Sequence, residues 1–199
     1  MIAIVDYGMG NLRSVQKAFE FLGHTAKITD RATDLKDAKR IVLPGVGAFN
    51  DAIDALKKSG VEKVMKDEIK KGKPFLGICL GMQMLFDVSY EDGIHQGLGL
   101  VSGEVKRFET SLKVPHIGWN KLNIRKKTPL FEGIDDLNFY FVHSYHASGC
   151  RVEDIETTCD YAYEFTASVN KDNVWGVQFH PEKSGDTGLK LLANFAKIN

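Results

Sequence analysis

Residues 75–86 read Phe75-Leu76-Gly77-Ile78-Cys79-Leu80-Gly81-Met82-Gln83-Met84-Leu85-Phe86, and the change of character at Cys79 decides the expected architecture. Residues 75–78 are short and apolar, the form of a buried strand, and residues 80–86 carry helical spacing. A strand that runs straight into a helix is half of a βα unit. Further units precede it. Residues 2–5 read as a strand, Gly8-Met9-Gly10-Asn11 break it, and Val15, Ala18, Phe19 and Leu22 recur at three and four residues until Gly23 ends a helix. A second strand is expected around residues 25–28. Ile41-Val42-Leu43 then stops at Pro44-Gly45-Val46-Gly47, and one long helical stretch with Ala52, Leu56, Val61, Val64 and Ile69 is expected to last until Gly72 and Pro74. Strands alternating with helices predict a parallel sheet covered on both faces.

From about Gly97 the pattern changes to short β-like runs at 99–105, 138–142, 162–169 and 174–179, broken by turn residues. A closing helix is expected over 187–198, with Leu189, Leu192, Ala193 and Ala196 on one face. The expected fold is therefore α/β: an open, mostly parallel central sheet with helices on both faces and an antiparallel extension in the second half. A chain of 199 residues is below the length at which cores commonly split, so residues 1–199 are expected to form one domain.

Twenty-six basic and twenty-six acidic residues cancel, which argues against nucleic acid as a partner because no long-range field would gather a polyanion. No window approaches the roughly 18 apolar residues of a membrane span, and Met1-Ile2-Ala3-Ile4-Val5 turns polar at Asp6 without a basic lead, unlike a secretion signal. A cytoplasmic protein with no membrane partner is expected. Cys79, Cys150 and Cys159 are too few and too irregularly spaced for a disulfide framework or a CxxC metal site, so they read as free thiols.

Chemistry concentrates in two places. Gly77-Ile78-Cys79-Leu80-Gly81 has the G-x-nucleophile-x-G form of a nucleophile elbow, where small flanks permit a tight turn that lifts the thiol above the sheet, near the positive end of the following helix. Near the other end, Gln178-Phe179-His180-Pro181-Glu182 is expected to present His180 and Glu182 on one face of a strand end. A carboxylate there would fix the imidazole tautomer for proton transfer. Both segments fall at strand ends, where a doubly wound sheet gathers its ligand-binding groups. His24, His95, His116, His143 and His146 lack metal-ligand spacing, and Gly8-Met9-Gly10-Asn11-Leu12-Arg13 lacks the third glycine of a dinucleotide loop. No metal or other cofactor is expected.

With the elbow and the His-Pro-Glu run together, the chain resembles the class I, or triad, glutamine amidotransferases. Within them it is most similar to the glutaminase subunits of imidazole glycerol phosphate synthase, a branch of histidine biosynthesis. Six blocks in order carry the resemblance: Asp6-Tyr7-Gly8-Met9-Gly10-Asn11-Leu12, Pro44-Gly45-Val46-Gly47, Cys79-Leu80-Gly81-Met82-Gln83, Pro115-His116-Ile117-Gly118-Trp119-Asn120, Phe141-Val142-His143-Ser144-Tyr145 and His180-Pro181-Glu182-Lys183-Ser184.

The resemblance implies Cys79 as nucleophile, His180 as general base and acid, and Glu182 as its orienting partner. It implies an oxyanion hole from the backbone of Val46 and Leu80, and L-glutamine contacts from Gly47, Gln83, Ser144 and Tyr145. It places a partner surface at Asn11, Trp119, Asn120 and Lys183. The implied partner is a (β/α)8-barrel cyclase subunit in a heterodimer, which uses the ammonia. Three other readings compete: a glutaminase of another pathway such as pyridoxal phosphate synthesis, a noncatalytic regulatory subunit of the same fold, and a generic cysteine peptidase.

Overall fold

The computed structural model describes residues 1–198. Its first half is a succession of βα units: β1 (Ile2–Val5), α1 (Leu12–Phe21), β2 (Ala26–Thr29), α2 (Ala32–Asp37), β3 (Arg40–Gly45), α3 (Phe49–Ser59), α4 (Val61–Lys70), β4 (Phe75–Cys79) and α5 (Leu80–Gln83). Strand β1 shows why the sheet lies in the middle. Ile2 and Ile4 join one apolar cluster with Val15 and Phe19, whereas Ala3 and Val5 join another with Leu56 and Met65. Alternate side chains point to opposite faces of a strand, so β1 feeds two cores and must be covered twice.

The second half contains β5 (Val88–Ser89), β6 (His95–Gln96), β7 (Glu104–Arg107), β8 (His116–Ile124), β9 (Asn138–His143), β10 (Tyr145–Ser148), β11 (Ile155–Tyr161), β12 (Tyr163–Lys171), β13 (Val174–Val177) and α6 (Gly185–Phe195). The strand order is β2-β1-β3-β4-β13-β12-β10-β7-β5-β6. Pairing is parallel from β2 through β13, then antiparallel from β13 to β12, β10 and β7. Strand β11 branches from β12 to β8, which pairs with β9. The parallel sheet with an antiparallel second half follows the sequence expectation. Strand β13, late in the chain, lies directly beside β4.

Four local expectations need correction. The long helix expected before Gly72 is two helices, because Gly60 at φ +75 turns left-handed and closes α3 before α4 begins. The helix after Cys79 is one turn, not residues 80–86, and residues 99–103 are not strand. One cause explains both: the amides of Leu98, Gly99, Leu100 and Val101 donate to the carbonyls of Met84, Phe86 and Leu85, with Leu85 serving the last two donors. Those carbonyls are diverted from helix continuation, and the 98–101 amides from a strand ladder. The closing helix is Gly185–Phe195, two residues earlier than expected at its start, and it buries Leu191, Leu192 and Phe195. Cys79, Cys150 and Cys159 are free thiols. Among the described residues no helix is long and apolar enough to cross a membrane.

Candidate active site

Cys79 ends β4 with φ +55 and ψ −112, a backbone conformation that a residue with a Cβ adopts at a cost of order 1–3 kcal/mol. Its glycine neighbours make that turn sterically possible. A Cβ on Gly81 would stand 1.8 Å from the Leu43 carbonyl oxygen, and one on Gly77 would stand 2.6 Å from the Gly81 carbonyl oxygen. Helix α5 is a single turn, so its dipole assists the sulfur less than the sequence suggested.

Adjacent strand β13 leads into the His180-Pro181-Glu182 segment. It ends at Val177, three residues before His180, so His180 and Glu182 do not share a strand face as expected. Instead Pro181–Lys183 form a 3-10 turn. That turn brings Glu182 Oε1 to 2.8 Å from His180 Nδ1, with both side chains buried. The backbone of His180 is held at both ends: its N–H donates to Tyr140 O, and its carbonyl accepts from Ser184 Oγ at 2.6 Å. With Nδ1 committed to Glu182, Nε2 is the nitrogen left for the sulfur.

Burial alone would push the His180 pKa down. The hydrogen bonds and charges of Cys79 and Glu182 outweigh it and raise the value to about 10. The imidazole is thus held protonated, within hydrogen-bonding reach of the Cys79 side chain. Gln178 Nε2 also approaches Cys79 Sγ, at 3.8 Å.

These groups border a cavity of about 330 Å³, within the roughly 300–1,000 Å³ range of small-ligand sites. Nine of the residues singled out from the sequence line it: Val46, Gly47, Cys79, Leu80, Gln83, Ser144, Tyr145, His180 and Lys183. Glu182 stands behind His180. Gln83 is buried and donates to Tyr145 O and Gln178 Oε1, each at 3.0 Å. Tyr7 braces the 44–47 turn by donating its hydroxyl to the Pro44 carbonyl at 2.9 Å. The partner-surface candidates scatter more widely. Trp119 is 58% exposed on β8, Asn11 precedes α1 and accepts from Ser14 Oγ, Asn120 donates to Asp160 O, and Lys183 is exposed at the cavity.

Glu91, Pro115, Val142 and His143 also line the cavity; none of them drew a site role from the sequence, although the last three lie in blocks that carry the resemblance. Glu91 is the chemically telling one. Burial pushes its carboxyl pKa up, while the Phe49 N–H, donating to Oε2 at 2.8 Å, opposes that. Its segment, Tyr90-Glu91-Asp92-Gly93, resembles an ordinary charged turn, and only the fold carries it to the site.

Comparison with known proteins agrees with the architecture. The family described as glutamine amidotransferase class-I matches residues 3–198. The chain is 51% identical over 199 residues to imidazole glycerol phosphate synthase subunit HisH of Caldanaerobacter subterraneus, covering 100% of this chain and 98% of that protein. It is 53% identical over 198 residues to the HisH subunit of Desulfitobacterium hafniense, covering 99% and 94%. Among solved structures, PurLQS from Thermotoga maritima superposes with a TM-score of 0.78 at 20% identity, covering 98% of this chain and 96% of that one; the likeness at that identity is one of fold.

Proposed function

The chain belongs to the class-I glutamine amidotransferases, among the HisH subunits of imidazole glycerol phosphate synthase, and on that premise we propose that it hydrolyses L-glutamine through Cys79, His180 and Glu182 and passes the ammonia to a (β/α)8-barrel cyclase subunit. One observation carries this reading: a buried, carboxylate-bound imidazole faces a cysteine held at positive φ in the wall of one cavity.

In the proposed sequence, Cys79 Sγ attacks the side-chain carboxamide carbon. Negative charge moves to the amide oxygen, which accepts hydrogen bonds from the backbone N–H groups of Val46 and Leu80; such a donor is typically worth about 10²- to 10³-fold in rate. His180 gives its proton to the nitrogen, the C–N bond breaks, and ammonia leaves a γ-glutamyl thioester. Water, deprotonated by His180, then attacks the thioester carbon; the C–S bond breaks, glutamate leaves, and the sulfur is restored with the proton back on His180. Glu182 keeps the ring oriented through Nδ1. The Glu91 carboxylate in the cavity is the counter-charge for the α-ammonium of glutamine, and Gln83, Ser144 and Tyr145 surround its remaining polar groups.

Residues 1–199 act in this scheme as one glutaminase unit. Trp119, Asn120, Asn11 and Lys183 are the proposed cyclase contacts, and exposed Trp119 is the natural anchor. The test is glutamate release from glutamine with the cyclase present. The parent should be active and Cys79→Ala inactive. A Cys79→Ala protein as fast as the parent rejects the reading.

A further inference from the structure

Beside the proposed triad lies a pair of imidazoles that the hydrolytic scheme leaves without a task. His116 opens β8, His143 closes β9, and the two are register partners. Both are buried. His116 stacks on Tyr161 with centroids 4.1 Å apart and on Phe141 at 5.0 Å, while His143 meets Phe108 and Phe165 at 5.2 and 5.3 Å. Burial in this aromatic setting pushes their pKa values down, to about 4 for His116 and about 3 for His143. Each ring is therefore neutral at ordinary pH, with one N–H and one lone pair.

The hydrogen bonds assign the protons. His143 Nδ1 is 2.8 Å from the Tyr145 carbonyl oxygen, which can only accept, so Nδ1 carries the hydrogen and Nε2 the lone pair. His116 Nδ1, at 3.1 Å from that Nε2, must donate. His116 Nε2 then accepts from Asn120 Nδ2 at 3.4 Å. The Asn120 amide is oriented by the backbone: Oδ1 accepts from the Lys121 N–H at 2.8 Å, and Nδ2 also donates to Asp160 O at 2.9 Å. All donors in the chain point the same way, from Asn120 to Tyr145. The terminal carbonyl is shared with Gln83, which bonds Gln178, which approaches Cys79 Sγ.

The geometry points to His116 and His143 as positioning residues: a neutral pair, both Nδ1–H tautomers, that fixes the Tyr145 carbonyl and, through Gln83 and Gln178, the cavity wall around the Cys79 sulfur. The outer end of this chain is on β8, whose outward side chains include Ile117 and Trp119. A partner that shifts β8 thus shifts hydrogen bonds that end at the substrate cavity. The kinetic consequence rests on the glutaminase reading; the tautomer pair rests on the burial and hydrogen bonds of the two rings.

Two measurements on the full chain test this. With ¹⁵N-labelled histidine, NMR of the parent should show a scalar coupling across the hydrogen bond from His116 Nδ1 to His143 Nε2, with both rings neutral at about pH 7. Nε2–H tautomers, or charged rings, overturn the assignment. In glutamine hydrolysis with the cyclase subunit, His116→Phe keeps a stacked ring and removes both hydrogen bonds. It should lower kcat/KM roughly ten-fold, less than the about 10²-fold of a 1 Å misplacement, at unchanged partner affinity. His116→Asn, which keeps an amide donor, should recover most of the loss.

Parent-like kinetics in His116→Phe overturn the positioning role. If that variant does not fold by circular dichroism, Asn120→Ala is measured in the same way, and unchanged kcat/KM there overturns it. Loss of activity in Cys79→Ala with parent-like His116→Phe removes only the positioning role. An active Cys79→Ala alongside an intact nitrogen–nitrogen coupling removes only the hydrolase reading.

Discussion

Gly45 and Cys79 face each other as register partners in the parallel β3–β4 ladder. The strand that carries the 44–47 turn therefore delivers it beside the proposed nucleophile, and the backbones come too close for side chains. A Cβ on Gly45 would stand 2.8 Å from Tyr7 Oη and 2.9 Å from both Gly81 N and Leu80 Cβ. The proposed oxyanion donors Val46 and Leu80 each follow a member of this register pair.

The closeness predicts that Gly81→Ala is poorly tolerated, since its Cβ would lie 1.8 Å from the Leu43 carbonyl oxygen and backbone must move. Overpacking costs about 1–3 kcal/mol, and a protein of this size loses roughly 2–4 °C of Tm per kcal/mol. Thermal melts should show a loss of at least several degrees, with glutamine hydrolysis falling even in the fraction that folds. A parent-like Tm would mean that the β3–β4 approach is looser than described.

The Tyr7 hydroxyl holds the same turn through the Pro44 carbonyl. Tyr7→Phe keeps the ring and removes this bond, whose net worth to stability is about 0.5–1.5 kcal/mol. The expected result is a modest change in Tm with a larger fractional loss of kcat, because the Val46 peptide is no longer steadied. Equal fractional effects in an activity and melting series would deny the turn a special role.

For His180, the raised pKa of about 10 predicts a charged ring through neutral pH. Against an unfolded value near 6.5, the group contributes stability that is fully present below about 6.5 and is lost as pH rises through about 10. Glu182→Gln removes one of the interactions that raise the value, so the imidazole midpoint followed by NMR should move down. Hydrolysis should fall about 10²-fold or more, as for loss of effective acid–base catalysis. A midpoint that stays put in the variant would show that Cys79 alone sustains the charge.

Much of this site was legible in the sequence because its signals are local. A cysteine between glycines announces a turn that only small flanks allow, and His180-Pro181-Glu182 puts acid and base two residues apart whichever backbone they adopt. What escaped notice depended on distant partners. The single-turn α5 follows from donors about fifteen residues downstream, and the two-helix break follows from the left-handed turn taken at Gly60. His143 enters the cavity at the end of β9 and Glu91 on the turn after β5, with no spacing to mark either. The resemblance put Trp119 on a partner surface, and it is the alternation along β8 that leaves its ring exposed.

Glu91 yields a substrate-specific prediction. If its carboxylate pairs with the α-ammonium of glutamine, Glu91→Gln keeps the size and an acceptor for the Phe49 N–H but removes the charge. Losing a charge-assisted hydrogen bond of about 1.5–3 kcal/mol should raise KM for glutamine by roughly ten-fold or more while kcat changes less. Steady-state glutamate release across a glutamine series separates the two parameters. An unchanged KM would leave Glu91 with only its support of α3.

Glu156 on β11 gives a pH-dependent stability prediction away from the cavity. It is fully buried, accepting from Thr128 Oγ1 at Oε1 and from Ser168 Oγ at Oε2. Burial raises its pKa to about 8, with the two hydroxyls and the Lys126 charge opposing. An unfolded glutamate titrates near 4.3, so between about 4.3 and 8 the folded chain binds more protons than the unfolded one. Stability attributable to this group falls as pH rises across that window, and the penalty is complete above about 8. Glu156→Gln is close in shape and cannot ionise. Melting temperatures of parent and variant should nearly coincide at about pH 4, with the variant the more stable by about pH 8. A variant that melts lower at the alkaline end would mean that the carboxylate is stabilised there as an anion, with Lys126 outweighing burial.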